Sequence, residues 1–257
     1  MSGLYAKIDN SVLLNFLFYP RRQHSKPSDG AFDLAVPLGN DVSIVCRAYP
    51  GAAEKPWILY FHGNGEVVSD YDGIAHLYRE RGLNLLVADY RGYGASGGKP
   101  TFTALVSDVG IILDYVLKEI IAKEDSTGLF VMGRSLGSIA ALELASRYAD
   151  RLQGLIIESG FISVVGLVHH LGLPSPGDLS PLEKSYRQLC ANIKLPALVM
   201  HGEQDRLVPL KQGKDLFDLL GSHIKELVII PKADHNDIMF VDSKYYMNAI
   251  ENFILKQ

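Results

Sequence analysis

Phe130-Val131-Met132-Gly133-Arg134-Ser135-Leu136-Gly137-Ser138 decides how this chain is read. An apolar run of strand type ends in Gly-x-Ser-x-Gly. A pattern of helical spacing follows at once through Ile139, Leu142, Leu144, Ala145 and Tyr148. A strand turning sharply into a helix leaves one residue at the apex in a strained backbone conformation. Glycines on either side give the turn its room, so the serine hydroxyl stands clear of the sheet. The free N–H groups that open the helix suit a developing negative charge. The plainer reading is a glycine-rich turn whose serine caps a helix. The frame of apolar strand and helix favours a nucleophilic Ser135.

The runs around this stretch repeat its pattern. Trp57–Phe61 is continuously apolar, as a strand covered on both faces would be. Leu83–Ala88, Leu129–Met132, Leu155–Ile157, Ala197–Met200 and Leu227–Ile230 read the same way. Helical patterns lie between them, the clearest being Leu105, Val106, Val109, Ile112, Leu113, Val116, Leu117, Ile120 and Ile121. Strands alternating with helices imply an α/β fold, a mostly parallel sheet with helices on both faces. Before it, Ala31–Val36 and Val42–Tyr49 flank the turn at Leu38–Asp41 and read as an antiparallel hairpin. No repeat or interdomain linker appears, so residues 1–257 are expected to form a single domain. Residues 159–194 break the rhythm, being longer than a simple crossover. An apolar stretch there is followed by Pro174-Ser175-Pro176-Gly177 and a second helical piece, with Ser180 as N-cap and Pro181 at N1. The expected element is a small helical cap inserted after a strand; the plainer reading is a crossover helix with a loop.

Composition sets the bounds. The 257 residues are 47% hydrophobic and 21% charged, with a net charge of −4. A domain of this length buries roughly 70–75% of its unfolded surface and needs no disulfide or metal staple. No basic stripe is present, so nucleic acid is not an expected partner. Cys46 and Cys190 are far apart and read as two reduced, buried thiols. The apolar run Val12–Tyr19 is far short of the ~20 residues a membrane helix needs, and it lacks the features of a signal peptide. It is expected to pack on the domain's own sheet, with a membrane-surface anchor as the alternative. No integral span and a cytoplasmic location are expected.

A serine hydroxyl is a weak nucleophile near neutral pH and needs a base oriented by a third group. Among eight histidines, His235 lies just past the last strand run, where the C-terminal ends of parallel strands converge on a site. His201 directly follows a strand and reads as a brace for its loop. Asp205 stands out as the orienting acid, on a loop between strand and helix. Its rivals are Glu203, Glu158 and Asp234, the last weakened because neighbouring side chains in an extended loop point apart. The oxyanion of an acyl-transfer transition state needs N–H donors. Leu136 N–H, next after the serine, is one. Asn64 N–H, between Gly63 and Gly65 in the loop after Trp57–Phe61, is the other.

Taken together, His62-Gly63-Asn64-Gly65, Asp89–Gly97, Gly133-Arg134-Ser135-Leu136-Gly137, His201–Asp205 with Val208-Pro209, and Asp234-His235 resemble a serine hydrolase of the α/β-hydrolase superfamily. The resemblance runs from about Ala31 onward. It is similar in detail to the small-cap branch of esterases and depalmitoylase-like hydrolases. It implies the α/β-hydrolase fold and the chain order serine, aspartate, histidine. The expected activity is cleavage of a small-molecule carboxylic ester or thioester through an acyl-enzyme on Ser135. Asp205 and His235 complete the triad, and no metal or organic cofactor is implied. A peptidase or amidase with the same triad is the first alternative; a non-catalytic binding protein of this fold is the second. Phe161, Val165 and Leu171 in the cap are expected to line the substrate pocket. Arg134 is expected to brace the elbow against Glu66 or Glu158, with substrate binding as the alternative. No protein partner is indicated.

Overall fold

The computed structural model describes residues 4–11, 13–123, 127–170, 172–173 and 177–257. Its centre is an eight-stranded sheet: β1 (Phe32–Gly39), β2 (Val42–Tyr49), β3 (Trp57–Phe61), β4 (Asn84–Ala88), β5 (Leu129–Arg134), β6 (Gly154–Glu158), β7 (Ala197–Gly202) and β8 (Lys225–Ile230). The order across the sheet is β1-β2-β4-β3-β5-β6-β7-β8. β1 pairs antiparallel with β2, and β2 with β4; every later pairing is parallel. The N-terminal hairpin and the mostly parallel sheet are therefore both present.

Helices cover both faces. In chain order they are α1 (Ala6–Asp9), α2 (Leu14–Leu17), α3 (Ala75–Arg79), α4 (Phe102–Glu119), α5 (Gly137–Arg147), α6 (Val164–His170), α7 (Ser180–Asn192), α8 (Leu210–Leu219), α9 (Ile238–Val241) and α10 (Ser243–Leu255). All residues of β3 through β7 are buried, which is why these strands read as unbroken apolar runs. Successive side chains enter opposite cores. Leu59, Phe61, Leu155 and Ile157 join the core containing residues of α4, α5 and α7. Ile58, Tyr60 and Ile156 join the core containing residues of α3 and α10. In α4 the stripe Leu105, Val109, Ile112, Leu113 and Val116 is buried. Each such side chain contributes ~1.5–3 kcal/mol on leaving water.

The segment before β1 joins the core on one face of the sheet, where Leu13, Leu17 and Phe18 are buried in one cluster with Ile44, Leu59 and Phe61. It packs beside the start of α4, where Tyr5 stacks on Phe102 with ring centroids 5.6 Å apart and Phe18 meets that ring edge-on at 4.9 Å. Asp9 accepts the Phe102 and Thr103 N–H groups at 2.8 and 3.0 Å, satisfying free donors at the helix start. Sequence periodicity could not show that a carboxylate 93 residues away would cap α4. The start of α7 shifts by one residue. Ser180 is already helical, and its N–H is taken by Asp178 Oδ1 at 2.9 Å. Both cysteines are free and buried. Among the described residues, no helix is long and apolar enough to cross a membrane.

One edge of the sheet matters for function. β3, β5, β7 and β8 run parallel, so the loops carrying Asn64, Ser135, Asp205 and His235 all leave their C-terminal ends on the same side.

Candidate active site

Ser135 follows β5 directly and adopts φ 50°, a left-handed conformation costly for a residue with a Cβ. Its surroundings hold it there. Its N–H donates to Glu158 O at 2.9 Å, and its carbonyl accepts the Ser138 hydroxyl at 2.6 Å. Gly137 makes the turn sterically feasible, since a Cβ there would collide with the Phe61 carbonyl. The same contact presses the start of α5 against the end of β3, so the loops bearing Leu136 and Asn64 adjoin. Neither the Asn64 nor the Leu136 backbone N–H donates a hydrogen bond among the described residues.

His235 reaches Ser135 from the loop after β8. Its Nε2 lies 2.9 Å from Ser135 Oγ, and its Nδ1 lies 2.7 Å from Asp205 Oδ2. All three residues are buried. Asp205 Oδ1 accepts the Leu207 and Val208 N–H groups at 3.0 and 2.8 Å, which aims the other oxygen at His235. Burial pushes the Asp205 carboxyl up. Hydrogen bonds from His201, His235 and the Val208 N–H outweigh that effect and hold it well below the ordinary carboxylate range. An anionic Asp205 fixes the tautomer with the proton on Nδ1, leaving Nε2 free to accept from the serine.

The rival acids are engaged elsewhere. Asp234 Oδ1 accepts the Arg206 N–H at 3.0 Å and the His235 N–H at 2.7 Å; these bonds lower its pKa. Glu203 accepts the Lys232 N–H at 2.9 Å. Glu158 takes Arg134 Nε at 3.0 Å on one oxygen and the Tyr246 hydroxyl at 2.5 Å on the other. His201 donates from Nε2 to Val208 O at 2.8 Å, the expected brace of its loop. His62 is fully buried, with Nδ1 2.8 Å from Gly63 O and Nε2 3.2 Å from Asp89 Oδ1, so it supports the loop that carries Asn64.

Arg134 joins the loops. Nε holds Glu158, Nη1 pairs with Glu66, and Nη2 donates to His235 O at 2.9 Å and Asn236 Oδ1 at 3.0 Å. Glu66 in turn accepts the Gly63 N–H and the Tyr71 hydroxyl, each at 2.8 Å. One guanidinium thus connects the elbow, the histidine loop and the loop of Asn64. Burial opposes its charge, and Glu66 and Glu158 overcome that cost, so it stays protonated. Every nitrogen is occupied, which favours bracing over substrate binding. The tyrosine partners were invisible in the sequence, because nothing local relates Tyr60, Tyr71 or Tyr246 to this cluster. Gly63 carried the one readable sign of close approach: a Cβ there would collide with Arg134.

The cap residues are placed unevenly. Phe161 is buried in the main core, and its carbonyl lies 3.3 Å from the Tyr186 hydroxyl. Val165 is half-buried against that core. Leu171 lies outside the described residues. A cleft beside the histidine is lined by Arg206, Leu207, Asp234, His235, Asn236 and Asp237.

Comparisons with known proteins agree with this architecture. The Hydrolase_4 family model, described as serine aminopeptidase S33, matches residues 52–176 and 178–240. Protein bem46 of Schizosaccharomyces pombe is 32% identical over 206 residues, covering 78% of this chain and 67% of its own. The uncharacterized protein YfhR of Escherichia coli is 28% identical over 255 residues, covering 95% of this chain and 88% of its own. The Pyrococcus furiosus esterase Pf2001 superposes with a TM-score of 0.72 at 18% identity, covering 92% of this chain and 98% of its own. Est1E from Butyrivibrio proteoclasticus, solved with ferulic acid, gives 0.70 at 17% identity, covering 87% and 98%. The two structures share the fold, while the family match covers well over half of the sequence. The chain belongs to the Hydrolase_4 family of α/β-hydrolases.

Proposed function

We propose that this protein is a serine-dependent acyl hydrolase that cleaves a carboxylic ester or thioester of a small molecule. The observation that carries the reading is the unbroken relay Ser135 Oγ–His235 Nε2–Asp205 at 2.9 and 2.7 Å, with the serine at a strained apex. Ser135 attacks the carbonyl carbon. His235 takes its proton and returns it to the leaving group. Asp205 orients the imidazole and stabilises its charged form. The Asn64 and Leu136 N–H groups bind the oxyanion. Water, deprotonated by His235, then releases the acid and regenerates the serine. Residues 159–194, with α6 and α7, act as a small cap within a single domain, and Phe161 and Val165 lie on the acyl side of the site. The two free cysteines fit a reducing, cytoplasmic setting.

The family description, serine aminopeptidase, supports a second reading as a peptidase or amidase with the same residues. Matched ester, thioester and amide substrates sharing one acyl group separate the two. The ester reading expects kcat/KM for the amide to be lower by orders of magnitude. Comparable turnover of a peptide bond would favour the second.

A further inference from the structure

The chain before β1 is fastened to the loop of Asn64. The Asn64 carboxamide makes the join. Its Oδ1 accepts from the Tyr19 N–H at 2.8 Å and the Tyr93 hydroxyl at 2.7 Å, and its Nδ2 donates to Leu17 O at 3.2 Å. Arg21 continues the seam: Nη1 donates to Gly65 O at 3.1 Å and to Asp70 at 2.6 Å, while Arg21 O accepts the Gly94 N–H at 2.7 Å. Arg22 donates to Ser96 O at 2.7 Å. Leu17 and Phe18 are buried. Residues 17–22 therefore form a strap bonded to the loops that follow β3 and β4.

Tyr19 stands out within the strap. Its N–H is held and its neighbours are anchored, yet the residue is 70% exposed. Its ring rests on Gly65, where an added Cβ would lie 3.4 Å from Cδ1. Gly65 adjoins Asn64, whose N–H carries no other bond among the described residues. An aromatic ring on a fixed backbone presents apolar area to a ligand with little further loss of chain entropy.

We infer that Tyr19 contacts the substrate. Its ring forms the wall met by the apolar substituent beside the scissile carbonyl, and the strap fixes that wall against the oxyanion loop. The inference rests on the acyl-hydrolase reading above. It makes Tyr19 a specificity residue drawn from outside the strands and loops that supply the triad.

Two substrate series test it: esters of one alcohol with acyl chains from acetyl to octanoyl, and acetates whose alcohol grows from methyl to benzyl. Tyr19→Ala should lower the ratio of kcat/KM between the largest and smallest member about tenfold in one series. Tyr19→Phe should keep the wild-type ratio, because the ring remains. A ratio does not depend on the fraction of enzyme that folds, so instability cannot imitate the effect. The affected series tells whether the ring faces the acyl chain or the alcohol. Unchanged ratios in both series would overturn the inference and leave the hydrolase reading standing. Wild-type protein that cleaves no ester and takes up no fluorophosphonate would overturn both.

Discussion

Asp205 illustrates how much one side chain does here. One oxygen is pinned by two backbone N–H groups and the other faces His235, so its charge and its aim are set together. Asp205→Asn should cost ~10²–10⁴-fold in kcat, because the amide favours the wrong imidazole tautomer. Asp234→Asn and Glu203→Gln should cost far less, since their bonds go to backbone N–H groups. A severe loss at Asp234 with a mild one at Asp205 would reverse the assignment. The carboxyl also leaves a mark on stability. A carboxyl held below its ordinary range in the fold stabilises the protein above its unfolded pKa, ~3.9, and that contribution is lost as pH falls toward the folded value. Denaturant midpoints followed from about pH 6 down to about pH 3 should therefore drop more for wild type than for Asp205→Asn. Equal slopes would contradict the linkage.

Between residue and fold lie the elements that carry the site. Arg134 ends β5, and its partners come from the loop after β3, from β6 and from the loop after β8. Arg134→Met should destabilise the protein by ~3–5 kcal/mol, because buried Glu158 would lose its cationic partner. Thermal or denaturant unfolding measures this, and a change under about 1 kcal/mol would show that the network is not structural. Gly137→Ala should be as damaging for a different reason: the new methyl would push α5 off the Phe61 carbonyl. Its soluble yield and unfolding midpoint report the effect, and a wild-type midpoint would contradict the packing argument. The elbow was legible in the sequence because its causes are local: strand, tight turn and helix follow each other within a few residues. The strap of residues 17–22 was not. Its bonds to Asn64, Gly65 and Gly94 span tens of residues, and no periodicity encodes them.

At the scale of the whole molecule, the sheet order explains why scattered residues meet. The strands that precede Asn64, Ser135, Asp205 and His235 are parallel, so every following loop opens at one edge. Continuous apolar runs revealed these strands, since burial on both faces leaves no polar alternation. The apolar run of β8 starts only at Leu227, because its half-buried first residues, Lys225 and Glu226, resemble a loop. The N-terminal run shows only its apolarity in the sequence, whereas the edge-on contact of Phe18 with Phe102 and the Asp9 cap upstream of it depend on partners only the fold supplies. The central claim is that this fold assembles an activated serine at Ser135. Reaction of the intact protein with a small fluorophosphonate, followed by peptide mass spectrometry, tests it most directly. The account predicts a stoichiometric adduct on Ser135 that is absent in Ser135→Ala and forms much more slowly in Asp205→Asn. A folded protein that stays unlabelled, or an adduct on another serine, would contradict it.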